Sequence, residues 1–356
     1  MEIRFRWLQE ASGSVSPLGL NQSFQILSLD NTVTSIKPPT QVPMDRWEVF
    51  LRTLGDRVSV ASEKNLTARC WKLSTLRREI RAITKSNQEV LRTTFPAAHV
   101  VIEQLKRMGL IHSIKVQSPN DAELNDFLLL DMEAGKGEPI YPLELLQAYL
   151  PDGVVCYFSA INYYELTTQV VAHHHVARLN PPRAKKSLAT VDAMEPEPAG
   201  EAVERNPLGT EIFHFEDVDY YLNKRDASLV PGIQFRVVSP RCWLRITTLE
   251  QTLLDALMQP VRCGGEAVAL EAWETGVKQI DADRMAEHLA KIQRDDLDRR
   301  VGAVLEMLGA DFAASTLGHR LNEVRDRLMT QDVPEIPLLA GFEFPEQNKT
   351  WKVRTP

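Results

Sequence analysis

The chain has 356 residues, which is more than one ordinary domain contains and predicts about two or three domains. Its 44% hydrophobic and 25% charged residues are typical of globular proteins and exclude wholesale disorder. The formal net charge of −7 argues against a general nucleic-acid binder, provided that the charge is spread evenly along the chain.

Nothing in the composition indicates a membrane or secreted protein. The longest apolar runs are far shorter than the ~18 residues that cross a bilayer, and the first residues lack the apolar core of an export signal. The four cysteines are scattered, which fits a reducing compartment better than a disulfide scaffold. We therefore expect a cytoplasmic protein with no membrane partner.

The first part of the chain, residues 1–42, is predicted to be an N-terminal extension with two short strands. Its apolar stretches are short and end near Pro38, Pro39 and Pro43, which interrupt regular structure. A helix is predicted over 45–54, because apolar residues recur there at helical spacing.

Positive charge is concentrated in residues 64–115. This segment holds eleven lysines and arginines against three glutamates, a net charge of +8. The rest of the chain therefore carries −15. The acidic total conceals a basic segment, and such segments are typical of surfaces that neutralise nucleic-acid phosphates.

Within this basic segment the pattern predicts a helix, a short helix, a third helix and a hairpin. Apolar residues recur at helical spacing over 73–84. The third helix is predicted to begin with Thr94 as its cap, to bury Met108 and to end at Gly109. Two strands around a polar loop complete the hairpin, over 111–116 and 127–131.

This order of elements is that of a winged helix-turn-helix domain, whose last helix enters the major groove of DNA. A protein-binding winged helix or a plain helical subdomain would show the same pattern. We predict a winged helix-turn-helix domain over 43–131 with double-stranded DNA as its partner, because the net charge of its segment 64–115 is +8.

The predicted DNA contacts follow from this arrangement. The exposed face of the third helix would contact bases or backbone, its entrance would hold a phosphate, and flanking cations would anchor further phosphates. The residues in these roles are Ala97, His99, Gln104, Lys106 and Arg107 on the third helix, Thr93 and Thr94 at its entrance, Arg77, Arg78, Arg81, Lys85 and Arg92 as anchors, and Lys115 on the hairpin.

Residues 140–356 are predicted to form a second domain, of mixed α/β type with a C-terminal helical bundle. Residues 179–208 are rich in proline and poor in large apolar residues, which predicts a mobile insertion loop. The remaining patterns predict strands at 154–158, 170–176, 211–215, 233–238, 243–247 and 349–354, and helices at 143–150, 159–166 (with Ser159 as cap) and from 248 to about 329. The fold class is therefore predicted to be α+β.

Three motifs contain residue types that carry chemistry in other proteins. In a strand only His173 and His175 share a face, and no further ligand follows at metal-binding spacing, so we interpret the histidine triplet as a polar strand end. Asp217 and Asp219 have the spacing of a magnesium-binding pair, but the Gly-Ser of nucleotidyltransferases does not precede them at the required distance. We interpret them as an exposed acidic turn. Cys263 has no evident histidine partner and is expected to be structural.

The sequence lacks a Walker A loop, a G-x-G-x-x-G turn, a G-x-S-x-G elbow and an H-E-x-x-H helix. We therefore expect no catalytic activity, no cofactor and no metal. The arginines of the C-terminal helices stand among many acidic residues. They are expected on solvated helix faces, with a partner or RNA surface as the alternative.

The second half of the chain resembles the AbiEi-like antitoxins. Five segments match motifs of that family in the family's order: 157–166 its S-A-L-x-x-[YH]-x-L-T helix, 248–257 its P-E-R-T-L-L-D-x-L signature, 260–265 its P-x-x-x-G-G turn, 300–309 its R-x-G-x-L-L-E-x-L-G helix and 348–354 its N-x-x-W-x-V strand. The chain departs from the family in its long N-terminal part, in the 179–208 insertion and at Gln251, where the signature has arginine.

The resemblance implies a transcriptional autorepressor and antitoxin of a type IV toxin–antitoxin system of the abortive-infection kind, which acts in phage defence. The winged helix would bind inverted repeats in its own promoter. The antitoxin domain, 140–356, would counter a nucleotidyltransferase toxin without requiring a stable complex. Three alternatives remain open: a regulator in a defence or mobile-element locus without a cognate toxin, a protein that uses its C-terminal helices only for interaction, and an enzyme that uses Asp217 and Asp219 for nucleotide transfer.

Overall fold

The computed structural model describes residues 46–91, 95–120, 122–130, 140–181 and 206–356. These residues belong to one compact unit, 45–356. The predicted N-terminal extension and most of the predicted insertion loop lie outside the described residues.

The first part of the described chain packs short helices against a small set of strands. A core of apolar side chains, including Phe50, Leu54, Ile80, Val101 and Leu128, holds them together. The elements are α1 (Arg46–Ser59), β1 (Cys70–Lys72), α2 (Leu73–Ser86), α3 (Gln88–Leu91), α4 (Ala98–Arg107), β2 (Ile111–Gln117) and β3 (Glu123–Leu130).

Helix α4 is shorter than predicted at its start. It begins at Ala98 because Ala97 is extended, with ψ 152°, and no side chain caps the helix. At the other end Gly109 has φ +70°, and the amide of Leu110 donates to the carbonyl of Leu105 at 3.0 Å. This closure turns Leu110 toward the core and leaves Met108 48% exposed, so the predicted burial of Met108 is wrong.

The second part contains further strands, a group of helices and a small terminal sheet. Its elements are α5 (Pro142–Tyr149), β4 (Val154–Val155), α6 (Phe158–Tyr163), β5 (His173–Asn180), β6 (Thr210–Phe215), β7 (Val218–Asp226), β8 (Ile233–Ser239), β9 (Cys242–Thr247), α7 (Leu249–Met258), α8 (Glu266–Gly276), α9 (Ala282–Ile292), α10 (Asp295–Met307), α11 (Thr316–Thr330), β10 (Ile336–Pro337), β11 (Glu346–Asn348) and β12 (Val353–Thr355). The predicted α+β class is confirmed.

Several predicted boundaries in this part are wrong. Strand β5 runs to Asn180, into the predicted loop, and β7 has no counterpart in the prediction. Ser159 does not cap α6, because Tyr157 precedes that helix. The hydroxyl of Ser159 is buried and accepts a hydrogen bond from the His175 amide at 2.6 Å.

One nine-stranded sheet runs through both parts, in the order β1-β3-β2-β6-β7-β5-β4-β9-β8. Strand β2 meets β6 where Gln117 pairs with His214. The residues before β1 also pair with the first residues of β9, since Thr67 forms a bridge with Cys242 and the Trp243 amide donates to Leu66 at 2.7 Å. The sheet therefore curls until the segment that leads into β1, at one edge, is hydrogen-bonded to β9, which neighbours the strand at the other edge.

A buried ion pair reinforces this junction between the two parts. The guanidinium of Arg69 donates to the carboxylate of Glu144 on α5 at 3.2 Å, and the Glu144 side chain is fully buried. Burial raises the pKa of Glu144, an effect that Arg69 opposes. Arg241 donates to the carbonyl of Leu130 at 3.0 Å. The segments before and after 131–139 thus share a sheet and buried polar contacts.

Helix α10 holds the terminal sheet. Arg299 donates to the carbonyl of Trp351 at 3.0 Å, and Arg300 donates to that of Pro337 at 3.0 Å. Both arginines are buried, so the expectation of solvated faces is wrong for them. Gly302 lies against the Trp351 ring, where an added Cβ would come within 2.4 Å of a ring atom. None of the helices in the described ranges is long and apolar enough to cross a membrane.

The hairpin that joins β6 to β7 has a strained turn. Phe215 pairs with Val218, so Glu216 and Asp217 form a two-residue turn, with φ 50° and 61°. Positive φ at both positions is the pattern of a type I′ turn, which favours Asn-Gly.

We expect Glu216→Asn with Asp217→Gly to raise the free energy of unfolding by about 1 kcal/mol. Chemical denaturation followed by circular dichroism measures the free energy of unfolding. Glu216→Val should lower it, because a β-branched residue is disfavoured at positive φ. An unchanged denaturation midpoint for both variants would contradict the assignment of a type I′ turn.

Candidate nucleic-acid interface

Helix α2 separates its apolar and basic residues onto opposite faces. Leu76, Ile80 and Ile83 are buried in the core. Arg77 and Lys85 are exposed, and with Arg81 they follow one another at four-residue spacing, so the three form one stripe. Arg78 lies beside this stripe with 70% of its side chain exposed. The stripe presents positive charge to solvent along the length of the helix.

The single acidic residue of α2 does not neutralise this stripe. Glu79 forms an ion pair with Arg57 of α1 and lies 3.9 Å from Arg78. Its charge is therefore directed toward α1 and away from the face that carries Arg81. Because exposed ion pairs of this kind contribute ~1 kcal/mol or less, the main effect is on the distribution of charge.

Helix α4 has a comparable division. Val101, Ile102 and Leu105 are buried, Ala98 packs partly against the same core, and the opposite side of the helix faces solvent. The exposed positions include the predicted contacts His99, Gln104 and Arg107, while Ala97 is exposed just before the helix and Lys106 is half-buried. The ammonium group of Lys106 lies 3.4 Å from the carboxylate of Glu103.

The two helices enclose an open cleft at the start of α4. Phe95 fixes this end of the helix, because its ring lies 5.3 Å from that of Trp47 and 5.1 Å from that of Phe50 on α1. The cleft is lined by Arg77, Ile80, Arg81, Thr84, Lys85, Phe95, Pro96, Ala97, Ala98 and His99. Three cationic side chains on one wall of an open cleft suit a polyanion.

The structure brings together only part of the predicted set. Arg77, Arg81, Lys85, Ala97 and His99 share the cleft. Gln104, Lys106 and Arg107 lie farther along α4, and Lys115 is exposed on β2, where it interacts with neighbouring groups. Arg78 lies on α2 beside the stripe and does not line the cleft, and the last three predicted residues, Arg92, Thr93 and Thr94, lie outside the described residues.

Two residues on the exposed face of α4 are missing from the prediction. Val100 is 46% exposed, and the Glu103 side chain is 61% exposed. Their signal in the sequence is their spacing, since Glu103 stands three and four residues before Lys106 and Arg107. A prediction of DNA contacts that looks for basic residues misses both Val100 and Glu103.

The histidine triplet lies at the start of β5 and is largely buried. His174 and His175 are 4% and 0% exposed, so the interpretation as a polar strand end is wrong for both. His175 contacts His173 through ring nitrogens 2.7 Å apart, and the Asn223 amide donates to its other nitrogen at 3.1 Å. Both ring nitrogens of the buried His175 side chain therefore have a hydrogen-bond partner, one on the same strand and one on β7. The described part of the chain holds no group of three metal-ligand side chains.

The buried histidines predict acid sensitivity. Burial, with a smaller effect of His173, lowers the pKa of His174 to about 4 from an ordinary value of about 6.5. The unfolded chain therefore binds this proton more readily between pH 6.5 and pH 4, and stability falls as pH falls through this range. We expect His174 to account for a loss of about 3 kcal/mol by pH 4.

The measurement is chemical denaturation at a series of pH values for the wild type and for His174→Asn, which has no group that titrates in this range. The variant should be less stable near neutral pH, where the imidazole is neutral and bonded to Ser159 at 3.2 Å. Its stability should then fall less steeply on acidification. Parallel profiles would show that His174 does not carry the effect.

The aspartate pair is divided between two elements. Asp217 is exposed in the β6–β7 turn, as predicted, whereas Asp219 belongs to β7 and its carboxylate lies 2.8 Å from the His214 ring. Cys263 is fully buried, and burial raises its pKa well above the ordinary range, so its thiol is suited to a structural role.

The residue that departs from the antitoxin signature is part of the core. The side-chain amide of Gln251 donates to the carboxylate of Asp255 at 2.9 Å and to the Leu229 carbonyl at 3.1 Å. Arg225 from β7 forms two hydrogen bonds with Asp255, at 2.7 and 2.5 Å. Gln251 thus helps to hold a buried aspartate beside an arginine that comes from another element.

No family model matches the chain, and no curated protein matches it. Among solved structures, the chain is similar to the RV2827C protein from Mycobacterium tuberculosis, at 13% sequence identity and a TM-score of 0.43. The match covers 85% of this chain and 90% of that one.

Proposed function

We propose that residues 46–130 act as a winged helix that binds double-stranded DNA and that the chain is a transcriptional autorepressor. The observation that supports this most directly is the basic stripe of Arg77, Arg81 and Lys85 on α2, which borders a cleft at the start of α4. Cations placed around the start of an exposed helix are suited to neutralise phosphates while that helix reads a groove.

Binding of the promoter tests this proposal. The full chain is titrated against a labelled duplex from the region upstream of its own reading frame and against a scrambled duplex of equal length, at several salt concentrations. We expect tighter binding of the upstream duplex by about 1,000-fold or more, with affinity falling steeply as salt rises. Equal binding of the two duplexes, or affinity independent of salt, would contradict the proposal.

We further propose that the part after residue 140 is the antitoxin and opposes a nucleotidyltransferase toxin in the cytoplasm. Support for this comes from the motif resemblance over 154–356. Co-expression of the full chain with a neighbouring nucleotidyltransferase reading frame should restore growth. Repression without growth rescue would favour a regulator that lacks a cognate toxin.

A further inference from the structure

We infer that Glu103 is a specificity-determining residue of the proposed DNA-binding surface: its carboxylate accepts a hydrogen bond from the amino group of a cytosine, while Val100 contacts the methyl group of a neighbouring thymine. This inference rests on the proposed DNA binding and extends it from phosphate contacts to base recognition.

Glu103 occupies the centre of the exposed face of α4. It stands one helical turn after Val100 and one turn before Lys106 and Arg107, so these side chains neighbour it along the helix. The buried residues of α4 lie on the other side. When this face of α4 lies in a DNA groove, Glu103 is therefore near the middle of the contact surface.

A carboxylate at this position is unsuited to phosphate contact, because it repels the backbone that the surrounding cations attract. It is an acceptor only, and the groups that donate in the major groove are the amino groups of cytosine and adenine. Guanine presents two acceptors there, which Glu103 would oppose. Glutamate and aspartate pair characteristically with cytosine.

The contact with Lys106 favours a C·G base pair over an A·T pair, because guanine offers Lys106 two acceptors, O6 and N7, whereas adenine places its N7 acceptor beside the amino group that Glu103 would contact. The ammonium group lies 3.4 Å from the Glu103 carboxylate, which sets a donor beside an acceptor. In a C·G pair the cytosine amino group and the guanine O6 also lie side by side, about 2.9 Å apart because they bond to each other. Glu103 and Lys106 present the complementary acceptor and donor at a similar spacing.

Val100 contributes an apolar contact one turn earlier. It is 46% exposed, and the exposed side chains nearest to it along the helix, His99, Glu103 and Gln104, are polar. Exposed apolar side chains at a DNA surface suit the methyl group of thymine, which distinguishes this base from the others. Val100 and Glu103 therefore favour adjacent base pairs of different types.

Selection from random DNA tests the inference whatever sequence the operator has. The full chain is incubated with a pool of duplexes that contain a randomised region, and bound molecules are sequenced over several rounds. The same selection is made with Glu103→Gln, with Val100→Ala and with Glu89→Gln. Glu89 is exposed on α3, so its variant makes the same change of charge in the same segment and is a matched control.

The wild type should enrich a motif with a C·G pair at one position. Glu103→Gln should reduce discrimination at that position by about 10-fold and shift it toward adenine, which glutamine recognises. Val100→Ala should weaken a thymine preference next to it, and Glu89→Gln should keep the wild-type motif. If the Glu103→Gln variant has the wild-type melting temperature and still enriches the wild-type motif, the inference about Glu103 is overturned, while the proposed DNA binding stands. Failure of the wild type to enrich any motif would overturn the proposed DNA binding as well.

Discussion

Reversing two charges on α4, by Lys106→Glu with Arg107→Glu, is expected to weaken DNA binding by at least ~100-fold at about 0.15 M salt while the protein stays folded. The variant changes the charge of one exposed helix face by four. It converts two groups that attract phosphates into two that repel them. Arg107 is exposed and Lys106 half-buried, and neither belongs to the buried core of α4, so the packing of that helix is retained.

The measurement is a titration of the upstream duplex at several salt concentrations. The slope of log affinity against log salt should fall by about 1, because Arg107 contacts a phosphate whereas Lys106 faces a base pair. A variant with Lys278→Glu and Lys349→Glu is the matched control, because both lysines are exposed in the second part and the total change of charge is equal. The assignment of α4 fails if the two variants bind equally well, since total charge would then account for the whole effect.

Replacing the buried arginine of β7, by Arg225→Ala, is expected to lower the free energy of unfolding by about 3–5 kcal/mol. Arg225 donates twice to Asp255, whose side chain is fully buried, and its guanidinium stacks 4.7 Å above the Tyr157 ring. Without Arg225 the Asp255 carboxylate keeps the hydrogen bond from Gln251 but loses its buried counter-charge.

Chemical denaturation followed by circular dichroism measures this loss. Arg225→Lys should have an intermediate effect, since lysine keeps the charge but cannot form the paired hydrogen bonds. The double variant Arg225→Met with Asp255→Leu should be more stable than Arg225→Ala, because it removes both charges together. A cost below about 1 kcal/mol for Arg225→Ala would show that the buried pair contributes little to stability.

Local sequence signals predicted the parts of the fold that depend on local interactions. Helix α7 is an example: Thr248 accepts a hydrogen bond from the Gln251 amide at its start, and Pro260 follows its end. The basic stripe of α2 was equally predictable, because helical spacing alone places Arg77 and Arg81 opposite Leu76 and Ile80.

Features that depend on distant partners could not be predicted. Strand β7 contains Lys224 and Arg225, and these charged residues interrupt the alternation of apolar and polar residues that identifies a strand. Arg225 can be buried because Asp255, from a different element, pairs with it. His174 is buried because Ser159 provides a hydrogen bond, and that pairing is not visible in a single sequence. The central position of Glu103 on the exposed face of α4 can be identified from the sequence only when the limits of that helix are known.

The curled sheet has a consequence for the order in which the protein is made. The residues before β1 bond to the first residues of β9, so the basic first part completes its backbone hydrogen bonds only after residue 243 has been synthesised. Contacts so far apart in the chain slow folding, and the unpaired segment stays exposed meanwhile. We expect the nascent chain to depend on chaperones during this interval and to acquire a finished DNA-binding surface only when the second part is nearly complete.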